Sequence, residues 1–229
     1  MSLETFKTVD DMYLARGPDV NPKRLLFTGD VYEGVDIPTV QTGGLIVVIE
    51  HPCAIRGARS KLNDHVLVAS VREHNPVGQN GWTNGYYDLS PLPELKGEQL
   101  YVADFRKIGR VSTEVLTSDT RVACSKEFGI NLLQQRLVWN LTRCFVPTKS
   151  FSEAFAHTFE EASLAEDWID TLSLAGMNEQ DALEKFDEYL TFDLGDKRTL
   201  QRDLEDIQLR SAVRANCRRR AAELALTLG

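Results

Sequence analysis

The groups best suited to chemistry gather in one stretch, Glu50-His51-Pro52-Cys53-Ala54-Ile55-Arg56-Gly57-Ala58-Arg59-Ser60-Lys61-Leu62-Asn63-Asp64-His65. Arg56, Arg59 and Lys61 follow one another without an acid between them, which suits a compact anion site: arginine chelates a phosphate through its planar fork, and lysine acts as a point charge. His51, His65 and the more distant His74 supply imidazole, the side chain best matched to moving protons near neutral pH. The catalytic candidates are therefore His51, Arg56 and His65, with Arg59 and Lys61 as nucleic-acid contacts. A solvated loop between strands is the commoner fate of such a stretch. Cys53 beside His51 has the composition of a nucleophile and its base, although a free thiol more often packs as a small apolar group. His51-Pro52-Cys53 has no second ligand pair at metal-binding spacing, so no metal is expected.

A second cationic series, Arg210, Arg214 and Arg218, recurs every four residues and so lies along one helical face, able to grip phosphates or an acidic partner. The competing expectation is pairing with acids of the same chain. Trp82 and Tyr86-Tyr87 are stacking candidates for exposed bases, weighed against a place in the core. Gly43-Gly44 lacks the further glycines and following helix of a phosphate or dinucleotide loop, so no cofactor is expected.

The elements that must position these groups read as two unlike halves. Residues 1–148 carry 17 acidic and 16 basic residues, and 149–229 carry 17 acidic and 10 basic, so nearly all of the net charge of −8 falls in the second half. That balance argues against a protein that coats nucleic acid through bulk positive charge. In the first half, short apolar runs alternate with turn residues, as in β-structure: Leu45–Glu50 after Gly43-Gly44, Val66–Val71 after Asn63-Asp64, Tyr86–Leu89, a Pro91–Pro93 bend, and Leu100–Ile108. A helix fits Lys126–Arg143, with Ile130, Leu133, Leu137 and Leu141 as its buried stripe. The second half reads as helical. Ser163 with Glu166 has the spacing of a capping box, Gly176 of a stop, and Asn178 of a cap ahead of Leu183, Phe186 and Leu190. Leu194-Gly195-Asp196 breaks that helix, and a last one spans about Thr199 to Leu226. Predicted core positions of the first half include Leu45, Val47, Ile49, Val66, Val68 and Val102.

The four cysteines, Cys53, Cys124, Cys144 and Cys217, form no CxxC pair, and Met1–Thr8 lacks the apolar run of a signal peptide. A reducing cytoplasm is the expectation. No stretch approaches the ~20 apolar residues of a membrane span.

The order of Gly29-Asp30-Val31-Tyr32, Leu45-Ile46-Val47-Val48-Ile49, Val66-Leu67-Val68-Ala69-Ser70-Val71 and Leu100-Tyr101-Val102-Ala103-Asp104-Phe105-Arg106-Lys107-Ile108 resembles the MazF/PemK family of toxin barrels over roughly residues 25–145. The resemblance implies a small SH3-like barrel with a terminal helix over 1–148; with the α-helical extension read over 149–229, the expected fold class is β-rich α+β. The resemblance also implies RNA cleavage and pairing into a homodimer. Ribonucleases of the family carry an arginine just before the second strand, where this chain has Gly43-Gly44, and a threonine or serine at the end of the next, where Ser70 stands. The basic loop would then supply replacements, Arg56 or Arg59 neutralising the phosphate and His51 or His65 exchanging protons.

Two function classes follow. One is a nucleic-acid-interacting protein of toxin or defence type, acting as a metal-independent endoribonuclease on RNA. The other is a non-catalytic adaptor that recognises a protein partner. In a variant of the first, the acidic segment 151–196 masks the basic loop.

Overall fold

The computed structural model describes residues 2–56 and 62–228. They form two compact units, one built from residues 2–22, 26–55 and 62–154 and the other from 23–25, 56 and 155–228.

The first unit is built on seven antiparallel strands: β1 (Tyr13–Arg16), β2 (Val31–Ile37), β3 (Gln41–Val48), β4 (His65–His74), β5 (Leu89–Pro93), β6 (Leu100–Ser112) and β7 (Arg121–Ser125). Their order across the sheet is β1-β7-β2-β3-β4-β6-β5. Short helices α1 (Pro52–Ile55) and α2 (Gln79–Asn84) and the longer α3 (Glu127–Thr142) complete it. The central strands read as continuous apolar runs because the sheet buries both faces, with alternate residues entering different cores. Val47, Ala69, Val71, Ala103 and Phe105 meet Leu132, Leu133 and Leu137 of α3. Ile46, Val48, Val66, Val68 and Val111 meet Tyr32 and Ile37 on the other side. That second core exists because the sheet curls: a Cβ on Gly109 of β6 would stand 2.3 Å from Ile37 Cγ2 of β2, although two strands separate β2 from β6. The curl does not close into a barrel, since β1 and β5 remain edges.

Several local expectations change once packing is known. Pro91 and Pro93 do not bend the chain; they lie in edge strand β5, opposite Val102 and Leu100. Proline has no amide hydrogen, so it is tolerated at an edge and discourages a further strand from joining there. Ile130, Leu133 and Leu137 are buried as the periodicity requires, but Leu141 is 69% exposed because α3 runs past the sheet at that turn. Gly29 is needed where it stands: its φ is +83° and a Cβ would meet Ser125 Cβ at 2.7 Å. The adjoining Asp30 accepts from the Phe27 amide at 3.1 Å and approaches Arg121 at 3.5 Å, while Arg121 donates to the Tyr32 hydroxyl at 2.9 Å. The Gly29-Asp30-Val31-Tyr32 motif is thus consumed by packing.

Arg136 of α3 is fully buried. It donates to the carbonyls of Leu89 (3.3 Å), Glu4 (3.0 Å) and Trp82 (2.8 Å), and its head lies 5.2 Å from the Trp82 ring centre. Burial lowers its pKa to about 10, so it is still charged at neutral pH. Glu4, on the segment so held, accepts from the Thr148 amide at 2.8 Å and hydroxyl at 2.6 Å, and so satisfies the first residue of α4 (Thr148–Leu174).

The second unit is helical. Within it, Leu164, Trp168, Ile169 and Leu172 of α4 pack with α5 (Glu179–Thr191), α6 (Leu200–Asp203) and α7 (Arg210–Leu228). Ser163 and Glu166 do not start a helix, because the apolar stripe carries α4 through them; Glu166 pairs instead with Arg24 at 3.1 Å. Gly176, at φ +95°, follows the end of α4. The Asn178 side chain caps α5 through the Asp181 amide at 2.9 Å, and Leu183, Phe186 and Leu190 are buried. The single last helix read from sequence is two. α6 is short, capped by the Thr199 hydroxyl and tied by Arg198 to Asp203 at 2.9 Å, and α7 begins seven residues after α6 ends. Among the described residues no helix is long and apolar enough to cross a membrane, and all four cysteines are free thiols.

Replacing Arg136 by Met keeps the bulk but leaves the buried carbonyls of Leu89 and Trp82 and the half-buried one of Glu4 without their donor, each buried one at a cost of about 1–3 kcal/mol when nothing else satisfies it. Urea unfolding followed by tryptophan fluorescence should show Arg136→Met destabilised by about 3 kcal/mol or more. A change within experimental error of the parent would mean those carbonyls find other partners.

Candidate functional site

The sheet brings the segments of His51 and His65 together, since the amides of Ile49 and Glu50 both bond to the Leu67 carbonyl, at 2.9 and 3.1 Å. Glu50 is fixed there by accepting from the Leu67 amide at 3.2 Å and by Arg110 at 3.7 Å. His51 Nδ1 accepts from the Cys53 amide at 3.2 Å, which places its proton on Nε2, and burial lowers its pKa despite the nearby Glu50. His51 is therefore neutral at pH 7. His65 is exposed, at the start of β4. Arg56 belongs to the other compact unit, and Arg59 and Lys61 lie outside the described residues.

The Arg210, Arg214 and Arg218 series is engaged within the second unit. Arg210 donates to the Leu204 carbonyl at 2.7 Å, Arg214 pairs with Glu160, and Arg218 pairs with Asp167 at 3.0 Å. The acids that could have masked a basic loop include Glu160 and Asp167, which face these arginines of α7.

A different cluster forms in the first unit. Alternate residues of a strand share a face, so Ser70, Arg72 and His74 of β4 line one side in that order, spaced by ~7 Å. The ladder sets Ser70 opposite Asp104, Arg72 opposite Val102 and His74 opposite Leu100. Asp104, only 1% exposed, accepts from Arg72 Nε at 3.0 Å, and from Arg106 Nε at 2.9 Å and Nη2 at 2.7 Å. Burial pushes the Asp104 pKa up, but the hydrogen bonds from Arg106 and Arg72 outweigh that and bring it down to about 2. Arg106 also reaches Asp88 at 3.0 Å. Both guanidinium side chains remain open to solvent, Arg72 by 38% and Arg106 by 60%.

Flanking groups complete the face. Ser70 donates to Gln41 Oε1, and Gln41 Nε2 donates to the Leu45 carbonyl at 3.0 Å. A Cβ on Gly44 would meet the end of the Gln41 side chain at 2.6 Å, so Gln41 folds back close over that position. At the other end, α2 lays Trp82 on Leu89 and Val102. His74 meets Tyr86 edge-on at 5.3 Å, and Tyr86 lies 5.5 Å from Trp82. Trp82 is core, whereas Tyr86 is 42% exposed. His74 Nδ1 stands 2.8 Å from the Asn75 carbonyl. A carbonyl only accepts, so Nδ1 carries a hydrogen, and in the neutral ring the lone pair is the one on Nε2.

Sequence reasoning missed Arg72, Asp104 and Arg106 as a group. The available signal was the polar end of an apolar strand, Ser70-Val71-Arg72-Glu73-His74, in which Ser70, Arg72 and His74 fall on alternate positions. Among the described residues no cluster of three or more His, Cys, Asp or Glu has the arrangement of a metal site.

Fold and site together define an α+β protein with an open, curled seven-stranded antiparallel sheet that presents a polar strand face beside an aromatic ledge. Set against protein-family models, curated proteins and solved structures, the chain matches none of them.

The Asp104 carboxylate has a pH signature. Its folded pKa of about 2 lies below the ordinary 3.8, so the stability it contributes is full above about pH 4 and is lost as the pH falls toward 2. Urea midpoints measured from pH 5 to pH 2.5 should fall less steeply for Asp104→Asn than for the parent. Parallel profiles would show that the carboxylate is not stabilised by its two arginines.

Proposed function

We propose that the sheet unit binds single-stranded RNA across the β4 face and cleaves it without help from a metal. The observation that carries this reading is the row of hydroxyl, guanidinium and imidazole on one strand face, Ser70, Arg72 and His74, next to the half-exposed Tyr86. Unpaired bases stack on such rings, and arginine forks take the phosphates between them. His74 Nε2 is then the base that removes the proton from a ribose 2′-hydroxyl. The 2′-oxygen attacks the neighbouring phosphorus, the bond from phosphorus to the 5′-oxygen breaks, and that oxygen leaves with a proton from solvent. The products are a 2′,3′-cyclic phosphate and a free 5′-hydroxyl. Arg72 and Arg106 take up the charge that grows on the non-bridging oxygens.

This reading moves the site from the His51, Arg56 and His65 loop to the opposite end of β4. A MazF/PemK-like, SH3-like ancestry is part of the proposal. It is supported by the curl of the sheet at Gly109 and Ile37 and by Ser70 at the position of the family's hydroxyl, with Arg72 two residues on in place of the arginine that Gly43-Gly44 lacks.

The adaptor reading draws on the second unit. There Arg214 and Arg218 are paired with acids of the same unit, while Leu174, Phe192, Ile207 and Leu226 are exposed. If these side chains join into one exposed apolar patch, that patch suits a protein partner. Identification of what co-purifies with the chain separates the two readings, RNA favouring the first and a stoichiometric protein the second.

For the RNA reading, Tyr86→Ala should weaken binding of a fluorescein-labelled single-stranded RNA about tenfold by anisotropy, in line with ~1–3 kcal/mol for one stacked base. His74→Gln should bind like the parent and release no cyclic-phosphate product on a gel. A parent protein that binds no RNA at low salt would end this reading.

A further inference from the structure

Asp104 is out of place on a phosphate-binding face if only its charge is considered. On the reading of the β4 face as an RNA site, a carboxylate at its centre repels each phosphate that approaches. Its geometry says otherwise. Asp104 is buried in the ladder opposite Ser70 and takes four hydrogen bonds, one from Arg72 Nε at 3.0 Å and three from Arg106: Nε at 2.9 Å, Nη2 at 2.7 Å and the backbone amide at 3.1 Å. β6 is irregular here: Ile108 lies opposite Ala69 and Asp104 opposite the next residue, Ser70, so residues 105–107 leave the ladder and Arg106 turns back onto Asp104.

The two guanidinium groups come from neighbouring strands on long stems that otherwise sample many rotamers, an entropy that binding must remove if nothing fixes them beforehand. Chelation by one buried carboxylate fixes them beforehand. It takes the Nε edge of Arg72 and the Nε and Nη2 edge of Arg106, leaving Arg72 Nη2 and Arg106 Nη1 outside the chelate, on side chains that reach solvent. Asp88 differs: it is 35% exposed and meets Arg106 alone, at 3.0 Å.

We propose that Asp104 is the positioning residue of this face, clamping Arg72 and Arg106 into a preorganised pair for the phosphodiester of single-stranded RNA, so that removing its negative charge weakens RNA binding. Resting on the RNA reading, this makes a prediction that charge alone contradicts. Asp104→Asn and Asp88→Asn change the net charge equally, yet they move affinity in opposite directions. Loss of the outer acid relieves repulsion, whereas loss of the buried one releases the forks.

The test is anisotropy titration of the full chain with a fluorescein-labelled single-stranded RNA across a salt series, with circular-dichroism melts of every variant. Asp88→Asn should bind several-fold tighter than the parent and Asp104→Asn about tenfold weaker. Arg106→Lys, at an exposed position with charge retained, should bind about fivefold weaker with an unchanged slope of affinity against salt, because an ammonium cannot be held at two points. Asp104→Asn binding as tightly as the parent or tighter would overturn the proposal, as would parent-like affinity in Arg106→Lys. Should Asp104→Asn fail to fold, Asp104→Glu takes its place: it keeps the charge on a longer stem that displaces both forks and should also bind several-fold weaker, parent-like affinity overturning the proposal. A parent protein that binds no RNA removes the reading of the face itself; a parent that binds, with Asp104→Asn binding tighter, removes only the role of Asp104.

Discussion

A guanidinium buried without a carboxylate partner holds the sheet unit together. Arg136 reaches three backbone carbonyls on three segments that are distant in sequence: the N-terminal stretch at Glu4, α2 at Trp82 and β5 at Leu89. Removing a charge from water costs several kcal/mol, and an arginine tolerates it only where its fixed donors meet acceptors in matching directions. Carbonyls at the ends of short elements provide such acceptors, because a six-residue helix and an edge strand leave backbone oxygens unpaired. The same charge that is costly to bury thereby satisfies groups that would otherwise be costly themselves. Its effect extends outward through Trp82, whose ring it faces and which packs against Tyr86. The aromatic ledge at the end of β4 thus has its position set from inside the core.

The polar face beyond that ledge follows a different rule. Asp104 is nearly inaccessible and Arg72 and Arg106 are not, so the cluster is oriented, with its acid inside and its bases outside. An exposed ion pair contributes little to stability and is screened by salt. One with a buried carboxylate and three hydrogen bonds from one arginine alone has a defined geometry, which is what a binding surface requires.

In the helical unit the charges serve the fold. Glu160 and Asp167 of α4 meet Arg214 and Arg218 of α7, and Glu166 of the same helix meets Arg24 from the segment that precedes β2. These pairs flank an apolar centre in which Trp168 contacts Phe186 and stacks on Tyr189 at 5.5 Å. The acidic excess of residues 151–196 and the basic excess that follows it are thus partly two sides of one set of ion pairs.

Local chemistry was legible in the chain itself. The apolar run Val66 to Val71 after its turn residues, the stripe of Ile130, Leu133 and Leu137, and the Asn178 cap depend on near neighbours and survive folding unchanged. Signals of the same kind misled where a longer-range interaction outweighed them. Ser163 and Glu166 have capping-box spacing, but the apolar stripe runs through them and Arg24 claims the carboxylate; Pro91 and Pro93 read as a bend until an edge strand gave them a place that needs no amide hydrogen. Tertiary structure alone decided that Arg136 is buried, and that Arg72 meets Asp104 across 32 positions of sequence. Such meetings depend on strand register, and register is set by which distant apolar faces must be buried together. No residue carries that information by itself.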